Sequence, residues 1–291
     1  MEAKTVLESG ALWVDGEGLA VIRAVGNDRL TWLNALVTAD VKDLTQGAAR
    51  YALLLEKKGK ITSDIIVLST AAGLDLVVPG AVADAVGDVL EHHLIMEDVE
   101  LSRPDVAIAL LHGGASARVA EASGAPWGAL DRTGLGGAIV VGESLADAKA
   151  RAVAAGALVA PADVWARLRV ERAVPLFGVD FDATHYPQEA SLAEAAVSFS
   201  KGCYLGQEVA YMLQNRGQAK RHVVRLRLER PATPGDVVTA EGGAEVGVVT
   251  SAAEGLVDPA PFALAMVKRA HAERGARLAV AGAPAIVDPP A

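Results

Sequence analysis

The stretch YALLLEKKGKITSDIIVLSTAAGLDLVVPG, residues 51–80, gives the clearest indication of the fold class. It contains three apolar runs of strand length, separated by turn sequences at residues 57–60 and 71–73. Links this short join antiparallel strands, because a parallel pair needs a crossover of about a dozen residues or more. The stretch therefore predicts a three-stranded antiparallel meander.

The residues before and after this meander alternate between strand and helix patterns. Residues 11–26 predict two strands around a turn at 15–18, and residues 27–37 predict a helix capped by Asn27 or Asp28. Short links continue to about residue 155, which favours an α+β layer over a doubly wound parallel sheet. No G-x-G-x-x-G follows a strand, so a Rossmann site for nicotinamide or flavin is not expected.

The C-terminal part has a different pattern. From about residue 219 the sequence consists of short apolar runs split by glycine and proline, without a helical period. This pattern predicts a small β-barrel or sandwich.

The totals limit the classes of function. The chain has 291 residues, a formal net charge of -9 and one cysteine. The negative charge disfavours direct nucleic-acid binding, and one cysteine cannot supply a four-cysteine metal site, so no metal centre is expected. There is no signal-peptide pattern and no apolar run of ~18 residues, so we expect a cytoplasmic protein without a membrane partner.

The single cysteine lies in KGCYLGQE, residues 201–208. A helix beginning near Tyr204 or Leu205 would place Cys203 at its N-terminus, where amide dipoles stabilise a thiolate. Lys201 would add a positive charge near the sulfur. A small buried hydrophobic residue is the alternative, since many lone cysteines are of this kind.

Two acidic residues have two interpretations each. Asp64 interrupts an apolar strand, so it is either paired or ligand-facing, or it lies on the solvent side of the strand. Glu189 either caps a helix beginning near Ser191 or accepts hydrogen bonds from the N–H edge of a ligand.

Basic residues cluster between residues 216 and 230. Arg225 and Arg227 alternate with apolar residues at period two, which predicts a solvated strand face. Arg216, Lys220 and Arg221 precede the alternation and could meet an anionic ligand.

The motif KGCYLGQE resembles the signature of the YgfZ family of folate-binding proteins, whose mitochondrial counterparts assist iron–sulfur cluster assembly. That family is similar in fold to the T-protein of the glycine cleavage system, an aminomethyltransferase that uses tetrahydrofolate. One departure is that the arginine expected soon after the motif comes only at Arg216. Further segments match in the same order: VGNDRLTWLNALVTADV (25–41), GKITSDIIV (59–67), RAVPLFGVDFDATHYPQEASL (172–192), PGDVV (234–238) and VGVVTS (246–251).

The resemblance implies an α+β fold, with three domains forming an aminomethyltransferase-like ring around a folate cavity. Two α+β domains with antiparallel sheets would be followed by a small C-terminal β-barrel. The implied boundaries are residues 1–50 with 157–218 for a folate-binding domain, 51–156 for a ferredoxin-like domain, and 219–291 for the barrel.

The resemblance also implies roles for particular residues. Cys203 matches the distinctive cysteine of the family, Asp64 lies at or beside the functional aspartate of the T-protein, and Glu189 matches the acid that holds the pterin. The residues expected to contact tetrahydrofolate or a folate derivative are Glu189, Lys201, Tyr204, Gln207 and Arg216.

Three functions remain open from the sequence. The first is a tetrahydrofolate-binding factor that supports assembly or repair of iron–sulfur proteins, including tRNA-modifying enzymes, with iron–sulfur client or assembly proteins as partners. The second is a folate-dependent aminomethyl or one-carbon transferase, with Asp64 in the chemistry. The third is a cysteine hydrolase, which needs a histidine within reach of Cys203.

Overall fold

The computed structural model describes residues 3–215 and 219–290. The chain divides into two compact units, Met1–Ala160 with Ala195–Gln207, and Pro161–Glu194 with Glu208–Ala291. The finer division into three domains stays a prediction. None of the helices in these described ranges has the length and apolar character needed to cross a membrane.

Two five-stranded sheets with helices form the first unit. Its helices are α1 (Ala3–Ser9), α2 (Arg29–Asn34), α3 (Ala83–His92), α4 (Ser116–Ser123) and α5 (Ala146–Ala154). Its strands are β1 (Ala11–Asp15), β2 (Leu19–Val25), β3 (Ala49–Leu55), β4 (Ile61–Thr70), β5 (Gly73–Pro79), β6 (Glu100–Ser102), β7 (Ala107–His112), β8 (Trp127–Ala129), β9 (Gly137–Gly142) and β10 (Ala157–Val159).

The first sheet has the order β3-β4-β5-β2-β6 and is antiparallel throughout. The predicted meander is therefore confirmed as β3-β4-β5. The second sheet has the order β10-β1-β7-β9-β8 and contains one parallel pair, β1 with β10. An α+β fold with one antiparallel and one mixed sheet results.

β1 and β2 follow one another along the chain but belong to different sheets. The apolar residues explain why they separate. Trp13 of β1 packs in a core with α4 and α5 residues, whereas Ile22 of β2 packs in the core that includes α2 and α3 residues. The short link between the strands thus carries the chain from one sheet to the other.

The helix predicted after β2 is present, but the predicted cap is wrong. Asp28 occupies the N-cap position of α2 without a side-chain capping bond. Its carboxylate instead accepts the main-chain N–H of Asp98 at 2.8 Å, while the Asn27 amide donates to the Asp98 carboxylate at 2.7 Å. These side chains therefore tie the start of α2 to the segment before β6.

The second unit is built around a closed barrel with the order β11-β14-β13-β12-β15-β16. The barrel predicted from residue 219 onward is confirmed. Continuing along the chain, the elements are α6 (Ala162–Glu171), α7 (Ala193–Ala196), α8 (Gln207–Asn215), β11 (Arg221–Leu228), β12 (Val237–Ala240), β13 (Glu245–Glu254), β14 (Pro261–Lys268), β15 (Arg277–Val280) and β16 (Ala283–Val287).

The prediction that Arg225 lies on a solvated strand face is wrong. Arg225 is buried, and its guanidinium donates to main-chain oxygens of Glu171 and Asp288 while lying over the Phe262 ring. Arg227 is exposed and pairs with Asp258. Period two cannot foresee such burial, because the partners of Arg225 come from distant parts of the chain.

Candidate functional site

The segment Ser198–Gly206, called here the cysteine loop, precedes α8. Because α8 begins at Gln207, Cys203 lies four residues before the first helical residue, and its predicted place at a helix N-terminus is wrong. Gly206 has a φ of 77°, a left-handed value that no α-helix continues through. Dipole effects fade beyond the first turn, so the helix does not supply the expected stabilisation of a thiolate.

Main-chain hydrogen bonds hold both ends of the cysteine loop against the residues that follow α2. Near one end, the Ser198 N–H donates to the Thr38 carbonyl at 2.9 Å. Near the other, the Leu205 N–H donates to the Ala35 carbonyl at 3.1 Å. These bonds define the loop's path between its two ends.

Lys201 anchors the middle of the loop. Its ammonium donates to the carbonyls of Asn34, Val37 and Ala39 at 2.6, 2.8 and 2.7 Å. An ammonium has three donors, so none remains for a folate or for the Cys203 sulfur. Burial lowers the pKa of Lys201 to about 8, although the charge of Asp40 acts in the opposite direction.

The Cys203 side chain is exposed. The interpretation as a buried hydrophobic residue is therefore wrong. None of the histidines in the described part of the first unit forms a hydrogen bond with the Cys203 sulfur. The loop thus presents a thiol to solvent from a segment that is fixed on both sides.

Tyr204 and Gln207 lie beside the cysteine but differ in exposure. Tyr204 is buried, burial raises its pKa to about 12, and its hydroxyl has no partner among the described residues. The Gln207 side chain is partly exposed and donates to the Gly202 carbonyl at 3.5 Å. Each side chain keeps polar capacity that the loop itself does not use.

The two glycines of the loop provide a matched pair of substitutions. A Cβ at Gly206 would lie 2.5 Å from the Glu56 carbonyl oxygen and 2.9 Å from Leu55 Cβ, whereas one at Gly202 would meet nothing within 4 Å. We expect Gly206→Ala to lower the free energy of unfolding by roughly 2 kcal/mol, because it adds a clash to left-handed strain. Gly202→Ala should stay within about 0.5 kcal/mol of the parent in urea unfolding. Equal effects would contradict the described path of the loop.

Asp64 forms a second feature of the first unit. It is 7% exposed, so the solvent-side interpretation is wrong. Its Oδ2 accepts the Tyr51 hydroxyl at 3.0 Å, and its buried Oδ1 has no partner among the described residues. Burial raises the pKa of Asp64, while Arg132 and Tyr51 act against that rise.

Strand register explains this contact. Asp64 pairs with Leu53 across β3 and β4, so Tyr51 is its diagonal neighbour on the same face. Alternation turns this face away from Ala52 and Ile65, which lie in the core with α2 and α3. A carboxylate oxygen left unpaired in such a place lowers the stability of the fold by an amount on the order of 1–3 kcal/mol. Buried acids kept at such a cost are typical of functional sites.

Arg132 was not predicted from the sequence. It lies between β8 and β9 of the second sheet, and its Cζ is 3.9 Å from the centroid of the Tyr51 ring. Asp131 orders the loop, because its carboxylate accepts main-chain N–H groups of Thr133, Gly134 and Gly136. No local pattern links this arginine to Tyr51, which lies far away in the sequence.

Glu189 lies in the second unit and is buried. Its carboxylate lies 3.3 Å from Arg221 Nε and accepts the Tyr186 N–H at 3.2 Å. Because α7 begins at Ala193, the carboxylate does not cap a helix near Ser191. Arg221, which the sequence left available to an anionic ligand, pairs with this acid in the structure.

Gln188, next to it, was also missed. The side chain is buried, its amide donates to the Ala210 carbonyl at 3.0 Å, and its Oε1 has no partner among the described residues. Arg216, a predicted folate contact, lies outside the described residues. In the described ranges, no group of three or more His, Cys, Asp or Glu residues is arranged to hold a metal ion.

Two family profiles match the chain. The GCVT N-terminal domain matches residues 1–125, and the glycine cleavage T-protein C-terminal barrel domain matches residues 221–284. An aminomethyltransferase of Saccharopolyspora erythraea is 28% identical over 300 residues, covering 89% of this chain and 79% of that protein. The tRNA-modifying protein YgfZ of Vibrio vulnificus is 27% identical over 242 residues, covering 77% of this chain and 73% of that protein.

One solved structure shows the same fold. The glycine cleavage system aminomethyltransferase T of Bartonella henselae superposes with a TM-score of 0.84 at 22% identity. The match covers 98% of this chain and 87% of that one. Two kinds of named protein are thus similar to the chain, at nearly equal identity.

Proposed function

Because this chain belongs to the GCV_T family, which includes aminomethyltransferases and YgfZ proteins, we propose that it is a tetrahydrofolate-binding factor for iron–sulfur proteins. Cys203 is its functional thiol, and the factor supports assembly or repair of its clients. Proteins of this family generally bind tetrahydrofolate. The similarity to a tRNA-modifying protein supports including tRNA-modifying iron–sulfur enzymes among the clients.

The observation that carries the proposal is the anchored, exposed cysteine. Cys203 is the only cysteine, it is open to solvent, and Lys201 fixes its loop through three carbonyls. Fixing a contact group before its partner arrives reduces the entropy lost on contact. One cysteine cannot hold a cluster by itself, so the thiol acts on an iron–sulfur client or assembly protein.

Asp64 supports the folate part of the proposal. Its Oδ1, which has no partner in the described part of the chain, is a buried acceptor, and a reduced pterin with its linker offers N–H donors. Tyr204 and Gln207, of the same unit, are proposed as further folate contacts. The role of Glu189 in the second unit stays a prediction from the resemblance. Lys201 is proposed as the anchor of the loop instead, because its donors are already used.

A titration with tetrahydrofolate tests this part. Saturable binding of one folate per chain, measured by calorimetry under anaerobic conditions, is the expected result. An absence of saturable binding would remove the cofactor from the account and leave only the fold, which does not determine function.

A second candidate is a folate-dependent aminomethyl or one-carbon transferase. Asp64 favours it, since a buried carboxylate with an unused oxygen can orient or deprotonate a folate nitrogen. It requires turnover of a methylamine-type donor with tetrahydrofolate, and Asp64→Asn should remove that turnover. Tetrahydrofolate binding without donor-dependent turnover would favour the first candidate, the binding factor for iron–sulfur proteins. The described residues of the first unit give the cysteine hydrolase no support, since none of the histidines there hydrogen-bonds Cys203.

A further inference from the structure

Arg132 brings a positive charge from the second sheet to the acid of the first. The guanidinium lies over the face of Tyr51, with 3.9 Å between Cζ and the ring centroid. The Tyr51 hydroxyl in turn donates to Asp64 Oδ2 at 3.0 Å. A continuous series of contacts therefore joins Arg132 to Asp64 within one unit.

We propose that Arg132 is a positioning residue for Asp64, which keeps the buried carboxylate charged so that its Oδ1 can accept a hydrogen bond from the ligand. An arginine stacked on a tyrosine is also a common packing arrangement. What distinguishes this one is the acid at the far end of the ring. A carboxylate as buried as Asp64 tends to become neutral unless a nearby positive charge opposes that tendency.

The surrounding charges are consistent with this role. Burial raises the pKa of Asp64, and the charge of Arg132 is the largest effect in the opposite direction. Burial also raises the pKa of Tyr51 well above its ordinary value, so the hydroxyl stays a donor at neutral pH. Burial and the charge of Arg132 lower the pKa of His112 to about 4, although the charge of Asp131 acts in the opposite direction. It is therefore neutral at physiological pH and adds no competing charge.

The loop that carries Arg132 is suited to fixed positioning. Three main-chain N–H groups and the Thr133 hydroxyl converge on the Asp131 carboxylate. They also lower the pKa of Asp131 despite its partial burial, so the acid remains charged and holds the turn. A rigid turn holds the guanidinium over the ring at little entropic cost.

This inference deepens the proposed function and rests on it only for the identity of the ligand. Its test can therefore begin without any ligand. The ionisation of Asp64 is followed by carbon NMR of side-chain carboxyls in the full chain, and its resonance is assigned by comparison with Asp64→Asn.

The decisive variants are Arg132→Gln and Arg132→Lys, with Arg118→Gln as the control. Arg118 is an exposed arginine of α4 that donates to the Ala155 carbonyl, so it tests loss of one charge elsewhere in the unit. We expect Arg132→Gln to move the midpoint of Asp64 titration upward by roughly one pH unit or more. The lysine variant should stay close to the parent, and the control should not change.

An unmoved Asp64 midpoint in folded Arg132→Gln would overturn the inference. If the glutamine variant does not fold, Arg132→Met repeats the test with a neutral side chain that can still cover the ring. Tetrahydrofolate affinity is measured separately across pH, and its midpoint should follow that of Asp64. A shifted carboxyl without any folate binding would support the role of Arg132 while contradicting the proposed cofactor.

Discussion

Lys201→Met is expected to lower the free energy of unfolding by roughly 3 kcal/mol. The parent ammonium satisfies three main-chain carbonyls, one in the last residue of α2 and two after it, and the thioether can satisfy none of them. Hydrogen bonds from a charged donor contribute more than neutral ones, and each carbonyl left buried without a partner adds to the loss. Urea unfolding of the two proteins measures the difference.

The control for this prediction is Lys149→Met. Lys149 pairs with Asp15 at 2.6 Å in a surface ion pair of the same unit, and such pairs contribute less than about 1 kcal/mol. Hydrogen exchange should also show that amides of the cysteine loop lose protection in Lys201→Met and keep it in Lys149→Met. Equal destabilisation by both variants, with the loop still protected, would contradict the anchoring role.

Cys203→Ala is expected to abolish complementation of an iron–sulfur enzyme defect while leaving stability almost unchanged. The side chain is exposed, so its removal should alter the free energy of unfolding by less than about 0.5 kcal/mol. Removing the thiol nevertheless removes the only sulfur nucleophile of cysteine type in the chain. Enzyme activity in the complemented strain, measured at matched protein levels, gives the result.

Ser200→Ala is the matched control, because Ser200 is another small exposed residue of the same loop. It should complement as well as the parent protein. Normal complementation by Cys203→Ala would show that the thiol is dispensable and would leave folate binding as the only functional part of the account.

Local patterns were sufficient where neighbours in sequence determine the structure. The meander of β3, β4 and β5 followed from short turns, and the barrel followed from apolar runs split by glycine and proline. The meander depends on contacts between consecutive strands, which periodicity and turn chemistry describe well. The barrel also pairs β11 with β14 and β16, which are distant along the chain, so the sequence predicted its class and not its strand order.

The errors arose where distant segments decide the outcome. Arg225 is buried because Glu171 and Asp288 supply hydrogen-bond acceptors for its guanidinium. Lys201 donates to carbonyls at and after the end of α2, far from it in sequence. The predicted start of α8 was wrong because Gly206, inside the motif, adopts a left-handed conformation where the chain passes close to Glu56. No single-sequence pattern contains these tertiary constraints.

The sequence could single out only some residues of the candidate site, and their roles stay predictions. An acid inside an apolar strand marked Asp64, and a lone cysteine between glycines marked Cys203, since both are locally unusual. Arg132 lies in an ordinary polar turn, and only its contact with Tyr51 in the folded protein indicates a role for it. A sequence pattern can therefore indicate the unusual residue more readily than the residue that supports it.

The most direct test of the central claim is a calorimetric titration of tetrahydrofolate into the parent protein, Asp64→Asn and Cys203→Ala. The parent and Cys203→Ala should bind one folate per chain with the same affinity, because the thiol is not a proposed folate contact. In Asp64→Asn the Tyr51 hydroxyl should donate to the oxygen of the new amide. The NH₂ group would then point toward the ligand in place of an acceptor, and binding should weaken roughly tenfold or more. Unchanged affinity in Asp64→Asn, or no saturable binding to the parent, would contradict the account.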